Sequence, residues 1–232
     1  MNPRLPQLRE GTVNLSVQAS KVLTGFRVIT AELLAGAPLE IKFFVENLGP
    51  LPLKMAVSGD SLRQRPGQFR FTASFNGLSL EDDPLTDEPY PGGPAGLVRL
   101  SIDQPWNQTL ILNQFVRLEQ TIGQLEQGAS GRLDLSCRRP LSLAATDTGA
   151  LSDNAAVFIA VNLNLDLRRD DAALAALAAR LLDEVLHMPQ ALRERPLSLL
   201  LSMRSAARTQ IEALSHHPDA SVAARALLAA RA

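Results

Sequence analysis

A chain of 232 residues has room for one large domain or two small ones, and 46% hydrophobic with 20% charged residues is the balance of a globular protein, not a disordered one. A formal net charge of −1, with lysine only at Lys21, Lys42 and Lys54, offers no basic excess for phosphates and argues against a nucleic-acid partner. The single cysteine, Cys137, excludes an internal disulfide; the amino terminus lacks an apolar signal segment, and no apolar run approaches the roughly 18 residues a membrane helix requires, so no membrane partner and a reducing, cytoplasmic setting are expected.

In chain order, the first stretch alternates. Val13, Leu15 and Val17 share one face of a strand over Thr12 to Val17. Phe26 to Leu34 is a second candidate, with imperfect alternation. Leu39, Ile41, Phe43 and Val45 point one way and Glu40, Lys42 and Glu46 the other, which predicts a half-buried strand ending in the turn Asn47 to Pro50. Leu51 to Val57 returns. Phe69, Phe71, Ala73 and Phe75 alternate, Asn76-Gly77 is a hairpin signal, and Leu78 and Leu80 follow. Glu81 to Gly96 is a long loop rich in proline, glycine and acid. Leu97 to Ile102, Gln108 to Val116, Gly131 to Ser136 and Ala156 to Leu167 complete a set of strands whose spacing fits an antiparallel sandwich.

Near Arg168 the apolar period changes from two to about three and a half. Asp170 and Asp171 are good N-cap residues, and Leu174, Leu177, Leu181, Leu182, Val185 and Leu186 recur at helical steps up to Pro189. A second helix is predicted from about Pro196 to Leu214, and a third, capped by Asp219 or Ser221, through Ala230. The expected fold class is mainly β plus α: an antiparallel immunoglobulin-like sandwich over residues 1–168, then a tail of about three helices over 169–232.

The stretch from Gly36 to Gln120 resembles an immunoglobulin-like domain that precedes HEAT-type helical repeats in some bacterial proteins. The residues that carry the likeness are the strand ending at Val45 to Pro50, Gly59-Asp60 with Arg63, Arg65 and Pro66, then Phe69 to Ala73, Pro91 to Gly96, and the late strand Leu110 to Arg117. The resemblance covers about a third of the chain. It implies a scaffold or binding module and brings no catalytic residues with it. The tail departs from the pattern, because a solenoid ordinarily stacks about three repeats and this segment holds one or two helical hairpins.

Chemistry-bearing clusters are few. Asp82, Asp83, Asp87 and Glu88, with Glu81, are hard oxygen donors of the kind calcium takes, but their spacing is not that of an EF-hand and a solvated loop accounts for them. Arg63 and Arg65 offer a fork for a carboxylate or phosphate, and Asp60 either completes a partner-binding edge with them or clamps the loop to the sandwich. Trp106 is either an interface anchor or a core residue. His187, His216 and His217 follow no ligand spacing; Cys137 precedes Arg138 and Arg139, which either activate it or leave it a buried structural residue. No catalytic residue, metal or cofactor is therefore expected. The reading is a non-enzymatic protein-interaction or scaffold module with a protein partner, homodimeric through its tail. The alternatives are a cytoplasmic enzyme inhibitor acting through residues 81–96 and, from another class, a hydrolase with residues dispersed in sequence.

Overall fold

The computed structural model describes residues 7–17, 20–57, 69–82, 96–145 and 156–231. Among these residues, ten strands form two antiparallel sheets. In the first, β1 (Glu10–Val17), β2 (Ser20–Val28), β3 (Glu40–Asn47) and β8 (Trp106–Ile111) lie in the order β1-β2-β3-β8. In the second, β4 (Leu53–Val57), β5 (Arg70–Phe75), β6 (Leu78–Ser79), β7 (Gly96–Leu100) and β9 (Ser130–Ala145) follow the order β6-β5-β9-β4-β7, and β10 (Ala156–Arg168) pairs along β9 from Ser130 to Ser142. Strand alternation decides which side chains meet between the sheets. Phe26 and Phe43 come from one sheet and Phe71, Leu133, Leu135 and Cys137 from the other, and Phe69 joins them just before β5. Phe26 and Phe43 lie 4.9 Å apart, and Phe69 meets Phe43 edge-on at 5.5 Å.

At two positions the need for glycine bears directly on strand pairing. Asn76 and Gly77 take φ of 50° and 83°, the paired left-handed conformation of a type I′ hairpin, as the sequence predicts for the β5–β6 turn. At Gly25 the β1 backbone comes so close that a methyl group would overlap the Gly11 carbonyl oxygen. At one corner the sheets join: the Leu8 and Asn164 backbones exchange two hydrogen bonds of 3.0 and 3.1 Å.

Three segments differ from the sequence expectation. β2 runs from Ser20 to Val28 rather than from Phe26 to Leu34, because the residues after it leave the sheet to reach the helices: Leu34 and Ala37 are buried in the helical core. β8 stops at Ile111, where Leu112–Gln114 and Leu118–Gln124 turn as short 3-10 helices that alternation does not signal. β9 extends to 16 residues, well past Ser136, as the long partner that β4, β5 and β10 share.

After Arg168 the chain is helical. Asp170 caps α1 (Asp171–His187), its side chain accepting from Ala173 N at 3.0 Å, and Leu174, Ala178, Leu181 and Val185 form the buried stripe. The predicted second helix is two. α2 (Gln190–Ser202) begins after Pro189 and carries Pro196 inside it; Arg204, at φ 49°, ends the run, and α3 (Arg208–Leu214) follows a 3-10 turn. α4 (Ala220–Arg231) is capped by Asp219, which accepts from Ser221 N at 3.0 Å. The helices share one apolar core with Leu34 and Ala37 of the sandwich side. Polar ties fix the junction: Arg195 forks onto Glu40 at 2.7 and 3.1 Å, and Arg169 donates to the Leu125 carbonyl at 2.6 Å. Among the described residues no helix is long and apolar enough to cross a membrane.

Candidate functional site

Of the residues singled out in sequence, Asp60, Arg63, Arg65, Asp83, Asp87 and Glu88 lie outside the described residues. Asp82 and Trp106 lie within them, far apart in role. Asp82 forms an isolated bridge with Val116, and the adjacent Glu81 is held by backbone and side-chain bonds to Arg117 and Gln120, so this strand end is fastened to the 3-10 region. Trp106 opens β8 opposite Val45, and its ring is turned inward, 6.1 Å from Phe43 and 4.9 Å from the guanidinium carbon of Arg139.

Arg139 is the most unusual side chain in the sandwich. It stands on the inward face of β9 with Leu133, Leu135 and Cys137, at 1% exposure. Its guanidinium carbon lies 4.4 Å from the Phe43 ring and 4.6 Å from Phe69, and Trp106 closes the third side. Burial pushes its pKa down to about 10, so it stays charged at neutral pH. Each pKa unit is about 1.4 kcal/mol. The burial cost is therefore about 3 kcal/mol, and the three ring faces recover part of it. This cage sits in the core and ties the two sheets together.

Cys137 and two of the histidines have structural contacts. Cys137 is fully buried, and burial raises its thiol pKa above the ordinary range, so Arg138 and Arg139 do not activate it. His187 Nδ1 lies 2.9 Å from Asp183, and His217 Nδ1 accepts from the Asp219 backbone N–H at 3.0 Å. Among the described residues no group of three His, Cys, Asp or Glu side chains is placed to hold a metal.

Among the described residues, two clefts and one helix face stand out. At the junction of sandwich and helices a cleft of about 360 Å³ is floored by Leu34, Pro38, Leu177 and Leu199. The ion pairs Arg195–Glu40 and Arg180–Glu184, each at 2.7 Å, stand at its rim. A shallower, polar cleft of about 460 Å³ lies on the outer face of β5, β9 and β10. The helix face belongs to α4. Its inward side buries Val222 and Ala226 against the other helices, and Arg225 ties it to Glu194 of α2 at 2.8 Å. Its opposite side exposes Ala220, Ala224, Leu227 and Leu228, at steps of four, three and one. Leu227 is 46% and Leu228 69% exposed. Sequence periodicity marked the helix but not this second stripe, because alanine on an Ala-rich helix does not declare which side is covered.

No protein family's sequence profile matches the chain, and no curated protein matches it. Among solved structures, one chain of the complex between zinc 2-glycoprotein and prolactin-inducible protein from human seminal plasma aligns over 72% of this chain and 99% of that one, at 7% identity and a TM-score of 0.23. A likeness at that level carries no argument about function.

Proposed function

We propose that this protein is a non-catalytic protein-interaction module in which the sandwich is a rigid base for the helical tail, and that the tail associates with a second copy through α4. The observation that carries the reading is the pair of apolar faces on one twelve-residue helix: Val222 and Ala226 inward, Ala220, Ala224, Leu227 and Leu228 outward. A helix that is apolar on both sides is stable when both are covered, and the intramolecular core covers one. Small residues at 220 and 224 let two such helices approach closely. A two-fold axis would set the same stripe against itself, the commonest closed arrangement of identical chains. The immunoglobulin-like resemblance to domains that precede HEAT-type repeats points the same way, toward binding rather than catalysis.

The test is a pair of substitutions on exposed positions. Leu227→Glu with Leu228→Glu leaves Val222 and Ala226 in place, so the melting temperature is expected to change little. Light scattering on a sizing column should then show the wild type as a dimer and the double variant as a monomer. A wild type that elutes as a monomer at high micromolar concentration contradicts the reading.

A further inference from the structure

Among the described residues β10 has β9 on one side, paired without a bulge from Ala156 to Arg168, and an open edge on the other. Asn164 and Arg168 show which groups face that edge. The Asn164 backbone exchanges both of its hydrogen bonds with Leu8, at 3.0 and 3.1 Å; the Arg168 N–H donates to the Leu33 carbonyl at 3.0 Å, and its own carbonyl accepts from Ala35 at 2.9 Å. A strand turns the backbone groups of alternate residues to the same side, so Phe158, Ala160 and Asn162 aim their N–H and C=O outward as well. Among the described residues nothing pairs with these groups. Folded proteins guard such an edge with charge, proline, bulges or a covering segment. From Ala155 to Val161 the sequence is Ala-Ala-Val-Phe-Ile-Ala-Val, with neither charge nor proline, and Phe158 stands out at 76% exposure.

We infer that this edge binds an extended peptide segment of a protein partner, which adds a strand to β10 beyond Leu8 and sets an acidic side chain opposite Ala160. The inference extends the interaction-module reading above to a partner other than a second copy, and rests on that reading for the kind of ligand alone. Charge selects the occupant. Arg138 of β9 stands opposite Ala160, exposed and with no ion pair among the described residues. A strand added to β10 lies two strand spacings from β9, about 10 Å. Ala160 puts only a methyl group between them, so the Arg138 guanidinium can reach across it to a carboxylate on the added strand. Phe158, two residues along, takes an apolar side chain of the same segment as a cross-strand pair. A second copy of β10 does not answer Arg138, because the outward residues left open, Phe158, Ala160 and Asn162, carry no carboxylate.

Fluorescence anisotropy of the peptide fluorescein-Ser-Val-Thr-Glu-Thr-Val-Ser-amide with the full chain tests the inference. The peptide reads the same in both directions, so its glutamate meets Arg138 whichever way the strand runs. Saturable binding within about 1 mM is expected. Lysine in place of the glutamate should weaken it by roughly tenfold or more, the value of a charge-assisted bond, and N-methylation of the glutamate, which removes the amide hydrogen facing β10, should abolish it. Arg138→Glu should reverse the preference between the glutamate and lysine peptides, and Phe158→Ala should weaken binding by about three- to tenfold. Both positions are exposed, so melting temperatures close to the wild type are expected and are checked first. No binding at millimolar peptide, equal binding of the N-methylated peptide, or an unchanged preference in Arg138→Glu would each overturn the assignment. A chain mass that falls with Phe158→Ala would put a second copy on the edge and overturn it too. Anisotropy follows the peptide and not the mass of the chain, so a monomer that binds it contradicts the α4 pairing alone, and a dimer that does not bind it contradicts the β10 edge alone.

Discussion

Arg139 shows how a single side chain is fixed by its surroundings. Its cost is desolvation, and three aromatic faces are part of what compensates it. Arg139→Met keeps the length of the side chain and fills the cage, so it is expected to cost less than Arg139→Ala, within about 1.5 kcal/mol of the wild type. Arg139→Ala, which empties the cage, should lose about 3 kcal/mol. Urea unfolding of the two variants checks both values, and a destabilised Met variant with an unaffected Ala variant would contradict the cage. The pH dependence has a definite sign. Burial sets the folded pKa at about 10, below the unfolded value, so the unfolded chain holds more protons above pH 10. The burial cost is present at neutral pH and is relieved as pH rises through about 10, and the wild type should gain on Arg139→Met over that window. The sequence did not disclose this residue. Alternation through Leu133, Leu135 and Cys137 assigns position 139 to the inner face, but a charge there violates the pattern from which faces are read, so in sequence the arginine stands out only as a neighbour of Cys137.

At the scale of elements, caps and close approaches do the work that propensity cannot. Asp170 accepts from Ala173 N at the start of α1 and also meets Arg168 at 3.0 Å. Asp170→Ala should cost about 1 kcal/mol, read as a lower urea midpoint at an unchanged slope. Gly25→Ala forces a methyl against the β1 carbonyl of Gly11, and about 1–3 kcal/mol of destabilisation is expected from the displaced strand; a neutral result would show that β1 stands off from β2. These two positions differ in legibility. An aspartate before a helical stripe is a local signal, and α1 was readable from it. Gly25 answers to a strand paired across a turn, and nothing local announces it. The same distinction explains the helices after Pro189. A proline ordinarily marks a helix start, so the sequence places one at Pro196; in the fold, Pro189 supplies the start and Pro196 rides inside α2. The break at Arg204 is a tertiary choice, made where the chain turns so that Ala207, Ile211 and Leu214 can enter the same core as α1.

The whole molecule follows from one change of period. Up to Arg168 inward residues alternate and two sheets close over the phenylalanine cluster; from Asp171 they recur at helical steps and a second apolar core forms. That much was legible, because burial on a strand and burial on a helix leave different rhythms in the chain. The surfaces were less so. The cleft on β5, β9 and β10 is assembled from three strands, with β5 lying about 60 residues before β9 in the sequence, and the outward stripe of α4 differs from its inward one only in what packs against it. If α4 pairs two chains, sedimentation equilibrium of the unmodified chain over a wide concentration range gives a mass rising toward twice 25.1 kDa with concentration; a constant mass of one chain into the high micromolar range would rule that pairing out.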